Sequence, residues 1–350
     1  MVPDADAAAP NRPGRVAYLF GSDRQHGRTY AAGPGLLNEG STDVRLLRSD
    51  PDDFVRVHIP VNFGRLRSRP TLRDVDVVLN LVTDADVNPR VLMWADRLLQ
   101  SFPGRVLNSP AAVRATSRDQ VVRLLAGIEG LVVPPVARFR GHLPLARTAI
   151  GRAGLRFPAI LRVAGTHNGE IVGLVPDEGA LADAIRPDKA YLLTEFVDIR
   201  DADGLYHKIR IFFFGANAVI RHCLVSDMWN VHGPDRERVL LHYPGWIERE
   251  RALIAGGMTA FPAPVRATLE RIRARMPLDF FGIDFALLAD DRVLLFEANA
   301  TMNFFPLSTE PLFAYAGAAA VAAARAAFDR LIAEGWSRPH SASAIDGATS

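Results

Sequence analysis

Cysteine is nearly absent from this 350-residue chain: Cys223 is its one thiol. A single cysteine excludes an internal disulfide framework and any zinc site built from several thiolates. Net charge is nearly absent too, at +2 from 41 basic and 39 acidic side chains. That balance is too weak to imply a nucleic-acid partner, which needs a basic face or run, so none is expected. Lysine is the third scarcity. Lys189 and Lys208 are the two lysines and the other 39 cations are arginine, which reads first as a bias of nucleotide composition. Long apolar runs are also missing. Ala314 to Ala324, mostly alanine, spans 11 residues, against the roughly 20 needed to cross a bilayer. Met1 to Arg15 lacks a basic segment followed by an apolar one, so it does not read as a secretory signal. A cytoplasmic protein with no membrane partner is expected.

What the chain has is core-forming material, at 49% hydrophobic residues. Arg15 to Phe20 reads as a strand that runs into the Gly21-Ser22 loop. Asp76 to Val82 is a near-continuous apolar run, the mark of a strand buried on both faces. Val91, Leu92, Ala95, Leu98 and Leu99 recur at helical spacing behind a capping segment, Asp84 to Asn88. Arg105 to Asn108 is a third strand, so strand, helix and strand predict a small parallel α/β unit. Beyond Ser109-Pro110 a helix is expected over Arg118 to Leu125, ended by Gly127 and Gly130. Strands follow at 159–163, 171–175, 191–197 and 206–214, with 218–226 a candidate partner for the last. A helix at 266–276, a hairpin of 283–288 with 292–298, and a final alanine-rich helix at 314–334 complete the pattern. Cys223, among apolar neighbours, reads as an inert core residue.

The hairpin carries the chemistry. If Asp290-Asp291 is a two-residue turn, Asp284 and Glu297 lie directly opposite and Asn299 points to the same face. Opposed side chains start about 5 Å apart at Cβ. Their oxygens can therefore share a hard cation such as Mg²⁺, which takes oxygen ligands at about 2.1 Å. Without a cation the two carboxylates would repel, and the apolar strands around them would sharpen the cost.

Gly282-Ile-Asp-Phe285 followed by Leu294-Leu-Phe-Glu-Ala-Asn299 resembles the metal-binding end of the ATP-grasp superfamily. That superfamily includes D-alanine–D-alanine ligase, glutathione synthetase and the ribosomal-protein glutamate ligases. The similarity covers roughly residues 110 to 310. It implies a Rossmann-like α/β domain at 15–110, then an α+β ATP-grasp fold of two subdomains, 111–190 with a phosphate loop and 191–335 with the metal site. The segments 1–14 and 336–350 are expected to be disordered tails.

The resemblance also implies roles. Asp284, Glu297 and Asn299 would hold two magnesium ions, with manganese an alternative, on the phosphates of ATP. The run Tyr191 to Asp198 resembles the hinge strand, with adenine read near Glu195, Phe196 and Val197 and ribose at Asp198. Pro158 to Gly165 and the following Thr166 to Glu170 resemble the strand and glycine loop over the phosphates, marked by Gly165 and Gly169. Where the family carries phosphate-binding lysines, this chain has Arg118 and Arg162. Arginine keeps the charge but brings a wider fork.

Lys208 and Arg210 share one face of a strand, where adjacent cations need an anion between them; by resemblance they would approach the γ-phosphate. Acceptor-side candidates are Arg221, His222, Ser226, His232 and Asn303. A two-residue loop at Ala216-Asn217 would put Arg221 beside Arg210, and a three-residue loop would put His222 there. The implied reaction joins small-molecule or peptide carboxylate and amine substrates through an acylphosphate, with ATP consumed and, as often among such ligases, a homodimer. A small-molecule kinase and a non-catalytic nucleotide-binding module remain alternatives.

Overall fold

The computed structural model describes residues 15–23, 42–44, 47–48, 54–165, 171–301 and 310–336. The expected tails, apart from Trp336, lie outside these residues, as do Gly169 and Asn303. Strand β1 (Val16–Ser22) is mostly buried, and β3 (Val77–Asn80) is buried at every position, as their unbroken apolar runs predict. With β2 (Val55–Pro60) and β4 (Arg105–Leu107) they form a four-stranded parallel sheet in the order β2-β1-β3-β4. Strand β2 was not among the predicted strands. Its signal is alternation, since Val57 and Ile59 are buried while Arg56 and His58 are exposed.

Helix α1 (Pro89–Leu99) buries Val91, Leu92, Ala95 and Leu99, but its cap differs from expectation. Asn88 makes no side-chain cap. Asp23, at the end of β1, accepts from the amides of Arg90 and Val91 at 2.9 and 2.8 Å. Asp84 instead folds its own loop, accepting from the amides of Asp86 and Val87.

Short α2 (Pro110–Arg114) and α3 (Arg118–Leu125) lead through β5 (Leu131–Val132) to a second, antiparallel sheet. It contains β6 (Val136–Arg140), β7 (Ala159–Val163), β8 (Ile171–Val175) and β9 (Ala190–Glu195) in the order β6-β9-β7-β8. Helices α4 (Leu143–Ala153) and α5 (Glu178–Ala184) share its own core around Leu161, Leu181 and Leu193.

The third sheet runs β11-β10-β12-β13-β5, with β10 (Tyr206–Phe214), β11 (Asn217–Ser226), β12 (Phe280–Leu287) and β13 (Val293–Asn299). Leu131 and Val132 pair parallel with β13, so the segment after α3 belongs to this sheet. Helices α6 (Asp235–Arg238), α7 (Pro244–Gly256) and α8 (Ala263–Arg275) follow β11. Phe213 stacks on Phe281 at 5.0 Å between centroids, inside the largest apolar cluster.

The final helix is divided. A 3₁₀ segment, Pro311–Ala316, precedes α9 (Ala318–Trp336). Together residues 311–335 are long and apolar enough to cross a membrane by length and composition, well beyond the 11-residue run visible in sequence. One face is spent inside the protein: Ala324, Ala327, Phe328 and Leu331 pack with Val77, Leu79, Phe212, Phe214 and Phe280. This helix joins the parallel sheet to the third sheet.

Candidate active site

Two β-bulges put one row of polar side chains across the third sheet. The turn between β12 and β13 has three residues rather than the expected two: the Leu288 amide donates to Arg292 O at 2.8 Å, and Asp291 takes a left-handed φ of 61°. Phe285 accordingly faces Leu295, one residue away from the two-residue register. A bulge between Asp284 and Phe285 then takes up Phe296 and restores Asp284 opposite Glu297. Between β10 and β11 the loop is Gly215-Ala216, with Gly215 at φ 56°, rather than Ala216-Asn217. There Arg221 is the bulged residue, and His222 is the partner of Arg210. Arg210 also faces Asp284 on its other side. The row is therefore His222, Arg210, Asp284, Glu297 on four consecutive strands.

The charges interlock. Arg210 forks onto Asp284, Nε to Oδ1 at 2.6 Å and Nη2 to Oδ2 at 2.7 Å. Lys208 Nζ lies 3.6 Å from Oδ2 of the same carboxylate and donates to Val231 O. Burial works to raise the Asp284 carboxyl, but the charges of Arg210 and Lys208 outweigh it and hold it below the ordinary range. Burial also drives Lys208 down, partly offset by Asp284. On the far side Arg118 Nη2 donates to Glu297 Oε1 at 2.6 Å and Nη1 to Phe296 O at 3.2 Å. Asn299 donates to the same Glu297 oxygen, while its own Oδ1 accepts from the Thr301 amide.

The guanidinium of Arg162, on β7 of the second sheet, makes no hydrogen bond or ion pair among the described residues. Burial, then the charge of Arg118, pushes it down to about 10, with Glu297 and Asp284 opposing. Four cations, Arg118, Arg162, Lys208 and Arg210, thus surround two carboxylates. Among the described residues the surplus of this cluster is positive.

Two of these residues, Arg118 and Glu297, line a cleft. Arg118, Gly165, Glu297 and Asn299 line one part of it, and Val121 and Leu192 another. Thr194 also lines it, and its buried Oγ1 has no hydrogen-bond partner. Gly165 begins the loop in a left-handed conformation, φ 74°, which a β-carbon would strain. In the hinge, the Glu195 amide donates to Pro135 O and the Phe196 amide to Pro158 O. The Val197 amide has no such partner among the described residues. Glu195 turns its carboxylate to the Arg156 amide and guanidinium, at 2.9 and 3.0 Å. Asp198 is not drawn into the cluster. It is exposed and forked by Arg200.

The acceptor-side candidates separate. Burial, then four cations led by Arg210, holds His222 well below its ordinary range, and its buried Nε2 has no partner. Arg221 is buried and pushed down to about 10, by burial and then Arg236. Ser226 Oγ is taken by the Met228 amide and Arg238, and exposed His232 pairs with Asp235 at 2.8 Å. Thr194, Arg138, Asp86 and Asp119 were not predicted. Their roles come from long-range packing and leave no local motif.

Among the described residues no three His, Cys, Asp or Glu side chains cluster as a metal site. The donor set on the row is two carboxylates and an amide, all oxygen donors, which suits Mg²⁺ completed by phosphate oxygens and water.

A parallel-sheet unit, two further sheets and a cleft that this polar row reaches at Glu297 define the ATP-grasp fold, and the chain has that fold. Solved structures align along nearly all of it. A RimK-domain ATP-grasp protein from Sphaerobacter thermophilus gives a TM-score of 0.51 at 18% identity, covering 91% of this chain and 99% of that one. A RiPP-associated ATP-grasp ligase from Chryseobacterium gregarium, solved with ADP and a leader and core peptide, gives 0.51 at 12%, covering 92% and 97%. The VanG D-Ala:D-Ser ligase from Enterococcus faecalis gives 0.50 at 14%, covering 93% and 100%. No protein-family model matches the sequence, and no curated protein does.

Proposed function

We propose that the chain is an ATP-dependent carbon–nitrogen ligase that joins a carboxylate to an amine through an acylphosphate, releasing ADP and phosphate. The observation that carries this reading is the surplus of cations. Among the described residues, four partly or fully buried cations around two carboxylates call for further negative charge, and a polyphosphate supplies it. The ligase fold of the aligned structures supports the reaction class, and the ADP and peptide bound in one of them support nucleotide use with a small-molecule or peptide acceptor.

Mg²⁺ held by Asp284, Glu297 and Asn299 would draw charge from the phosphate oxygens during transfer. Arg118 and Arg162 would hold the phosphate chain from both sheets. Val197 would offer its amide to the base. The substrate carboxylate oxygen bonds to the γ-phosphorus as the bond to the ADP oxygen breaks, and Lys208 and Arg210 spread the charge that develops. The amine nitrogen then attacks the acyl carbon, phosphate leaves, and the amine proton passes to solvent or phosphate. Closing the cleft keeps water from the acylphosphate.

The test is Mg-ATP binding by calorimetry, followed by a screen of carboxylate and amine pairs for ADP release with mass detection of the product. A ligase releases ADP and phosphate with an amide product. Phosphate retained on the product would instead identify a kinase.

A further inference from the structure

Arg138, on β6, commits four of its five N–H groups to two carboxylates from different parts of the chain. Nη1 and Nη2 fork onto Asp86 at 2.9 Å each, and Nε and Nη2 reach Asp119 Oδ1 at 2.9 and 2.7 Å. Asp86 belongs to the loop after β3, in the parallel-sheet unit. Asp119 lies in the first turn of α3, where Ser117 Oγ also reaches it at 3.1 Å. One guanidinium therefore fastens the edge of the second sheet to both neighbours.

The fastened residues adjoin the cluster described above. Arg118, which holds Glu297, immediately precedes Asp119. Gly165 lies against Asp86, where an added β-carbon would sit 3.7 Å from the Asp86 Cβ. Asp86, Arg118, Gly165 and Glu297 line the same cleft. Burial works to raise the Asp119 carboxyl, but hydrogen bonds and charge from Arg138 outweigh it, so the pairing persists at neutral pH. An exposed ion pair contributes little by itself. A planar fork shared by two acids fixes direction as well as distance, which a lysine cannot reproduce.

We propose that Arg138 is a positioning residue: by holding Asp119 and Asp86 to the second sheet, it sets where Arg118 meets the phosphates of the nucleotide. The inference rests on the Mg-ATP reading of the cleft.

Calorimetry on the full chain, with Mg-ATP and adenosine as the two probes, tests it. Arg138→Ala should weaken Mg-ATP about tenfold and leave adenosine unchanged. Arg138→Lys should not rescue the loss, and Arg138→Ala should add nothing in an Arg118→Ala background. Unchanged Mg-ATP affinity overturns the proposal, and so does an equal loss for adenosine, which marks a purely structural residue. If Arg138→Ala fails to fold, Asp119→Asn and Asp86→Asn carry the same comparison one arm at a time. A wild-type chain that binds no Mg-ATP counts against the ligase reading and takes this proposal with it. Binding that is indifferent to these variants counts against the proposal alone.

Discussion

At the scale of single residues, Asp284, Glu297 and Asn299 were legible as polar positions in two otherwise apolar strands, which is short-range information. Arg162 shows what the sequence could not reveal. Its position suggested a phosphate contact, but its lack of a side-chain partner among the described residues emerges only when the second sheet is folded beside the third. Burying a guanidinium costs stability, so Arg162→Met should raise the unfolding free energy by about 1 kcal/mol. Nucleotide affinity should fall in the same variant. Chemical denaturation and calorimetry read the two signs; a loss of both would identify Arg162 as structural.

His222 gives a pH signature. Its folded pKa lies well below 6.5, through burial and then the charges of Arg210, Arg221, Arg236 and Lys208. Well above a pH of about 6.5 neither state is protonated, and the residue contributes nothing to pH dependence. As pH falls below that value the unfolded chain takes the proton and the folded chain does not, so stability is lost at up to about 1.4 kcal/mol per pH unit. His222→Asn should therefore lose less stability than wild type between pH 6.5 and 5. Parallel denaturation midpoints across that range would refute the burial of a neutral imidazole. Cys223 fits the expectation of an inert thiol: it is fully buried, and burial pushes it up to about 12.

At the scale of elements, the expected register was right for Asp284 and Glu297, but for a reason the pattern did not contain. A three-residue turn shifts the hairpin by one residue and a bulge shifts it back. Two compensating irregularities are invisible to a count of positions. The β10–β11 pair behaves likewise, since its loop is Gly215-Ala216, neither Ala216-Asn217 nor a three-residue loop. Gly215 makes that turn possible with its φ of 56°, and a β-carbon there would meet Leu331 Cδ1 only at 3.4 Å. Conformation rather than crowding is then the main cost of Gly215→Ala, about 1 kcal/mol by denaturation. A neutral effect would mean the turn has another form in solution. Short α2 and α6 and the two-residue β5 hold too few positions to show a period, and α4, α5, α7 and β6 went unpredicted as well.

Glu250 illustrates packing of the same kind. Wholly buried on α7, it takes the Arg236 fork, the Tyr315 hydroxyl and the Cys223 amide, so it anchors β11 behind the site. Nothing near Glu250 in sequence names these partners.

At the scale of the whole molecule, the parallel unit and the later strand-rich region were readable from apolar periodicity. How the three sheets converge was not, because that depends on α9 filling the space beside β3 and β10 and on single bridges such as Arg138. The near-neutral total of 41 basic and 39 acidic residues also hid its local arrangement. Charge is balanced over the chain and unbalanced in the cluster on the third sheet, where among the described residues Arg118, Arg162, Lys208 and Arg210 meet Asp284 and Glu297.

The most direct test of the central claim is Mg²⁺-dependent ATP binding by wild type and Glu297→Gln, measured by calorimetry with and without EDTA. Wild type should bind ATP with Mg²⁺ and lose at least about tenfold in affinity when the metal is chelated. Glu297→Gln should bind weakly under both conditions and release no ADP with any substrate pair that turns over on the wild type. Metal-independent ATP binding equal in both proteins, or full turnover by Glu297→Gln, would contradict the account.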